Sequence, residues 1–167
     1  MVKSQSGISL TENAAQLIQE ISKSKSEVTV AFLRITNQDT IDFDPELQIC
    51  GDFSLNDVVD KLKLAPALPH WIVFMSSMKA IDCSDNKIKR TIKTPIVISW
   101  CSDQCTISQK MKFAASKGPV EHTFGDCVRV EVHNLEDMTP DEIIGARRMK
   151  MKLNGWIPTE FCHQTVV

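Results

Sequence analysis

Two stretches of consecutive apolar residues set the limits of what this chain can become: His70 to Ser76 (HWIVFMS) and Ile96 to Cys101 (IVISWC). Each is strand-sized and far short of the roughly 18 apolar residues that mark a membrane-spanning helix. A strand that is apolar at nearly every position, rather than at alternate ones, belongs where both faces of its sheet are covered. The rest of the chain must therefore supply covering elements on two sides. Residues 11 to 22 (TENAAQLIQEIS) place Ala14, Leu17, Ile18 and Ile21 on one helical face, behind a Thr11 suited to cap the helix.

The remaining segments alternate in type. Val28 to Thr36 and Thr40 to Phe43 read as two strands around a tight Asn37-Gln38-Asp39 turn, hence a hairpin. Ser54 opens a helix whose Leu55, Val58, Val59 and Leu62 share a face, and the segment from Pro66 to Pro69 ends it. Residues 77 to 94 are polar and charged and read as a projecting loop or hairpin. Asp103 or Thr106 caps a helix running to about Lys117, stopped by Gly118-Pro119. Val128 to Val132 is a fifth strand, and Thr139-Pro140-Asp141-Glu142 opens a last helix with proline at its first position. The expected fold is α/β (α+β): one domain with a central mixed five-stranded sheet and helices on both faces. Trp156 and Phe161 point to a tail docked on the body of the domain.

Composition narrows the function. At 167 residues the chain is long enough to bury a core without disulfides or a metal, and 43% of it is hydrophobic. Nineteen Lys and Arg against 21 Asp and Glu give a net charge of −2, which argues against bulk nucleic-acid binding. The six cysteines form no C-x-x-C pair, and the N-terminus lacks a long apolar segment, so an intracellular protein with free thiols is expected. No G-x-S-x-G, P-loop, G-x-G-x-x-G or H-E-x-x-H occurs. Cys101-x3-Cys105 with a distant His122 fits no common zinc spacing, so neither metal nor cofactor is expected.

The segment Ile96 to Lys117 (IVISWCSDQCTISQKMKFAASK) is the most specific. A strand ending in an aromatic residue, a small-Asp turn, and a helix with Lys110, Met111, Phe113, Ala114, Ser116 and Lys117 at these positions resemble the actin-depolymerizing factor homology domain of ADF/cofilin proteins. Ser6-Gly7-Ile8 resembles that family's N-terminal signature, and the order of elements agrees from about residue 6 to 146. The resemblance implies a domain over 6–146, preceded by a flexible N-terminus (1–5) and followed by a helix end and tail (147–167). It also implies a non-enzymatic cytoplasmic protein of the actin cytoskeleton, acting as a monomer on actin monomers and filaments to promote depolymerisation or severing.

Site residues follow from the same likeness. The monomer-binding set is Ser6, Gly7, Ile8, Ser108, Lys110, Met111 and Lys117; Ser6 is also the expected phosphorylation site, where a phosphate would repel an acidic partner. The filament-binding set comprises Lys79, Lys87, Lys89 and Arg90 from the projecting connection, with Asp141, Glu142, Arg147 and Arg148 from the last helix. Lys110, Lys117, Arg147 and Arg148 would serve phosphoinositide head groups. Periodicity alone reads Met111 differently, because Ile107, Met111, Ala114, Ala115 and Gly118 fall within one arc of about 100°, the expected core face. Two departures stand out: Ser108 occupies a position that is usually basic in relatives, and Phe113 one that is often Tyr. Ser108-Gln109 and the segment Asn134 to Glu142 lean toward a glia-maturation-factor-like binder of the actin branching complex. A small cysteine-dependent enzyme is the third reading.

Overall fold

The computed structural model describes residues 6–65, 67–82, 84, 89–143, 145 and 156–162. In chain order the elements are β1 (Ser9–Leu10), α1 (Glu12–Ser22), β2 (Val28–Ile35), β3 (Thr40–Phe43), β4 (Ile49–Cys50), α2 (Leu55–Leu64), β5 (His70–Asp82), β6 (Lys89–Trp100), α3 (Ile107–Ala115), α4 (Gly118–Phe124), β7 (Val128–Val132) and β8 (Trp156–Phe161). A further helix, α5, begins at Pro140 and includes 140–143 and 145 among the described residues. One sheet runs in the order β1-β3-β2-β5-β6-β7, with β4 added to β2 and β8 to β5. The pairs β1–β3 and β6–β7 are parallel and the others antiparallel, so the sheet is mixed.

Residues 71–74 and 96–98 have at most 1% of their surface exposed. They are the two apolar runs, and each sends alternate side chains into two separate cores. On one face Ile72, Phe74, Ile96 and Ile98 pack with Val58 and Leu62 of α2 and Ile143 of α5. On the other, Trp71, Val73 and Val97 pack with Ala14 and Ile18 of α1, Phe113 of α3, and Val120 and Phe124 of α4. Capping sets the helix starts. Thr11 Oγ1 accepts from Ala14 N at 3.2 Å, and Ser54 forms a reciprocal capping box with Asp57.

Among the described residues the sheet has eight strands rather than five, because β1, β4 and β8 add short edge pairings that carry little periodicity of their own. Of the two forms expected for 77–94 the hairpin is found: residues 77–82 and 89–94 are strand, and β5 and β6 stay paired out to Ile81↔Lys89. There Met78 and Ala80 are buried while Lys79 is exposed, the period-two alternation of a half-buried strand, which the density of charge obscures. α3 ends at Ala115, short of Gly118-Pro119, which opens α4 with the proline in the first turn, where its missing N–H forfeits no intrahelical hydrogen bond. The tail docks as a strand, β8, on β5. The tight turn after β2 has Asp39 at φ +55°, a left-handed position that aspartate tolerates.

His70 is fully buried at the start of β5, its Nδ1 2.8 Å from the Leu68 carbonyl oxygen. Burial lowers its pKa, outweighing the Leu68 hydrogen bond and the Asp44 carboxylate, which act the other way. With the unfolded value near 6.5, the unfolded chain takes up this proton first. The contribution of His70 is thus complete above about 6.5 and is lost as pH falls toward the depressed native value. Urea unfolding midpoints should fall between pH 7.5 and 5.5, and His70→Leu should flatten that dependence; an equally steep profile in the variant would show that His70 is not its source.

Candidate functional site

α3 starts because Thr106 and Gln109 form a capping box: Thr106 Oγ1 accepts from Gln109 N at 3.2 Å and Gln109 Oε1 from Thr106 N at 2.9 Å. Of its nine residues only Phe113 is buried. Its ring stacks on Trp71 with centroids 4.1 Å apart and planes 25° from parallel, an arrangement worth about 0.5–1.5 kcal/mol beyond area burial. Directly after the helix, the buried Ser116 hydroxyl lies 2.6 Å from the Lys112 carbonyl oxygen. The aromatic anchor turns the other side of α3 outward. Met111 is 68% and Ile107 77% exposed, one turn apart on that outer face.

The core assignment that periodicity gives Met111 therefore does not hold. The apolar arc through Ile107, Met111 and Ala114 faces solvent. Around it the structure gathers several of the expected monomer-site residues. Ser108 and Lys117 are exposed, and half-buried Lys110 lies on the flank of the arc. Its Nζ donates to the Asp103 carbonyl at 3.3 Å and lies 3.9 Å from the Asp103 carboxylate. The N-terminal segment joins the same helix, since the hydroxyls of Ser6 and Ser116 are 2.8 Å apart. Gly7 is exposed at φ +79°, a conformation that favours glycine. Ile8 departs from expectation: its side chain is 3% exposed and packs in the core with Leu10 and Ala14, so it anchors the segment rather than offering a partner its side chain.

Sequence reasoning passed over Ile107 as a surface residue and the ion pair of Lys112 with Asp39, which ties α3 to the β2–β3 turn. No local signal could reveal that pair, whose members are 73 positions apart. Beside α3 a groove of about 360 Å³ runs past Trp71, Cys101, Phe113, Ala114, Lys110 and Lys117. Burial, reinforced by neighbouring Cys105, pushes the Cys101 thiol up to about 11, so it stays protonated and is a poor nucleophile.

The expected filament set is divided. Lys79, Lys89 and Arg90 are all exposed on the β5–β6 hairpin. Register places Lys79 and Lys89 on one face, with Lys93, whereas Arg90 lies opposite Ala80 on the other. Asp141 and Glu142 are exposed in the first turn of α5. Lys87, Arg147 and Arg148 lie outside the described residues, as do residues 1–5.

The sequence profile of the cofilin/tropomyosin-type actin-binding proteins matches residues 7–146. The chain belongs to this family. Its members are actin-binding proteins rather than enzymes. No curated protein sequence matches the chain, but solved structures of the same fold do. An ADF-like UNC-60A protein of Caenorhabditis elegans superposes with a TM-score of 0.66 at 16% identity, covering 86% of this chain and 96% of its own. Coactosin from Entamoeba histolytica gives 0.64 at 18%, covering 89% and 99%. Glia maturation factor from C. elegans gives 0.60 at 16%, covering 82% and 93%. Among the described residues of this cofilin-family chain no helix is long and apolar enough to cross a membrane.

If α3 is anchored as described, stability and surface separate cleanly. Phe113→Ala should cost about 3–5 kcal/mol, whereas Ile107→Ala and Met111→Ala should each stay within about 0.5 kcal/mol of the parent. Thermal or urea denaturation checks this, and a large loss in Met111→Ala would contradict an outward-facing residue.

Proposed function

We propose that this protein binds actin monomers through the outer face of α3 and the adjoining N-terminal segment, binds filaments through a second surface, and promotes filament depolymerisation or severing. The observation that carries the reading is the exposed Ile107–Met111 pair, an apolar stripe on a helix whose only buried residue is Phe113. Such a stripe suits helix-in-groove recognition, in which an amphipathic helix lays apolar anchors into a partner cleft. Methionine adapts to an irregular apolar surface, and Lys110 and Lys117 beside it suit an acidic partner.

Ser6 is proposed as a control point. Its hydroxyl meets Ser116 at the end of α3, so a phosphate there would add about −1.5 to −2 charge beside the binding face and displace that contact. Basic residues near α3, Lys110 and Lys117, are proposed to meet phosphoinositide head groups in competition with actin. The filament surface is proposed to draw on Lys79, Lys89 and Arg90 of the hairpin and Asp141 and Glu142 of α5. The protein would act as a cytoplasmic monomer.

The glia-maturation-factor-like reading, removal of filament branches through the branching complex, is favoured by fold likeness to that protein. Ser108-Gln109 lends it less support than the sequence alone implies, because the Gln109 side chain is engaged in the helix cap. Co-sedimentation with purified actin filaments in the absence of the branching complex separates the two. Binding is expected, and none at all would exclude the proposed activity. Lys110→Ala should weaken actin-monomer binding about tenfold, equivalent to about 1.4 kcal/mol, with the melting temperature unchanged; unaltered affinity would displace the interface from α3.

A further inference from the structure

We infer that β8, which lies beyond the residues matched by the family profile, orders the projecting β5–β6 hairpin by giving it a third strand, and so completes the basic surface that the hairpin offers to an acidic protein partner. β2 pairs with β5 only over Leu33↔Trp71 to Val30↔Phe74. The β5–β6 ladder runs on to Ile81↔Lys89, well past the point where β2 leaves. From there Met78 still packs in the core on one face, but beyond it the hairpin would be a two-stranded ribbon, which is marginal in water without further strands or packing.

Lys79, Lys89 and Lys93 share one face, with Lys79 diagonal to the other two across the ladder, so the spacing of these cations depends on the ladder staying formed.

β8 supplies a third strand on the edge that β2 vacates. It pairs antiparallel with β5 from Met78 to Asp82. Cys162 N donates to the Ser77 carbonyl at 2.9 Å, and Thr159 Oγ1 donates to the Lys79 carbonyl at 3.2 Å. The register shifts between Lys79 and Ala80, so that Thr159 is the additional residue of a bulge and Pro158 comes opposite Ala80. An edge strand with a bulge is a place where proline is tolerated. With β8 in place Met78 and Ala80 are essentially inaccessible and Pro158 is buried, and the β5 edge is closed to adventitious pairing.

That the partner is an actin filament rests on the proposed function; the ordering of the hairpin does not, and amide exchange measures it without actin. In a chain ended at residue 155, amides of 78–82 and 89–92 should exchange at least about tenfold faster than in the full chain, while those of 71–74 and 96–98 keep their protection. Cys162→Pro, which removes the donor to Ser77 and leaves the domain intact, should give a smaller acceleration at the same amides. Unchanged hairpin exchange in both variants would overturn the inference. Filament co-sedimentation then reads the surface: the truncated chain should bind filaments at least about tenfold more weakly than the full chain with monomer affinity unaltered, and equal filament binding would overturn the role in partner recognition. Accelerated exchange together with no actin binding by either chain would uphold the strand's ordering role and reject the actin reading instead.

Discussion

The β5–β6 ladder is the member on which the rest of the molecule is hung. Its inner part, Trp71–Phe74 against Ile96–Ser99, lies between two cores and takes α2 and α5 on one face and α1, α3 and α4 on the other. Its outer part leaves the cores beyond Met78 and carries cations into solvent. One continuous register thus joins the interior, where hydrophobic burial supplies most of the stability, to a surface that interior packing does not reach. The two proposed partner surfaces differ accordingly: α3 is fastened to the buried end of the ladder, and the hairpin is its exposed end.

The fastening of α3 is unusually sparse. A capping box starts the helix, the Trp71–Phe113 stack holds it, and the Ser116 hydroxyl and the Lys112–Asp39 pair tie down its second half. Because one large aromatic does the packing, the smaller apolar residues are free to face outward. An exposed ion pair adds little on its own, typically up to about 1 kcal/mol. Its contribution lies more in fixing the rotation of the helix, and with it the direction of Met111. The N-terminal segment is similarly divided: Ile8 is committed to the core, which leaves Ser6 and Gly7 at the surface beside the end of α3.

Much of this is legible in the residues. The central strands, α1, α2 and the proline start of α5 follow from apolar runs, helical spacing and capping, each a local signal. For residues 77–94 charge leaves loop and hairpin both open, because it overlays the alternation in Met78-Lys79-Ala80, and the ladder decides for the hairpin. β8 escapes because its partner is some 80 residues distant and its proline argues against a strand. Met111 is the most instructive case. Periodicity finds an apolar arc but cannot tell whether that arc meets the core or a partner, and the decision falls to Phe113, about 160° from Met111 around the helix. Family likeness makes Met111 an expected contact, and the stack of Phe113 on Trp71 is what leaves it exposed.

The central claim, that the outer face of α3 meets actin, is tested most directly by oxidation footprinting of Met111. In the free protein the thioether is accessible and should convert readily to the sulfoxide. With saturating actin monomers, conversion at Met111 should slow at least about fivefold while buried Met78 stays unreactive in both states. Equal conversion at Met111 with and without bound actin would contradict the account.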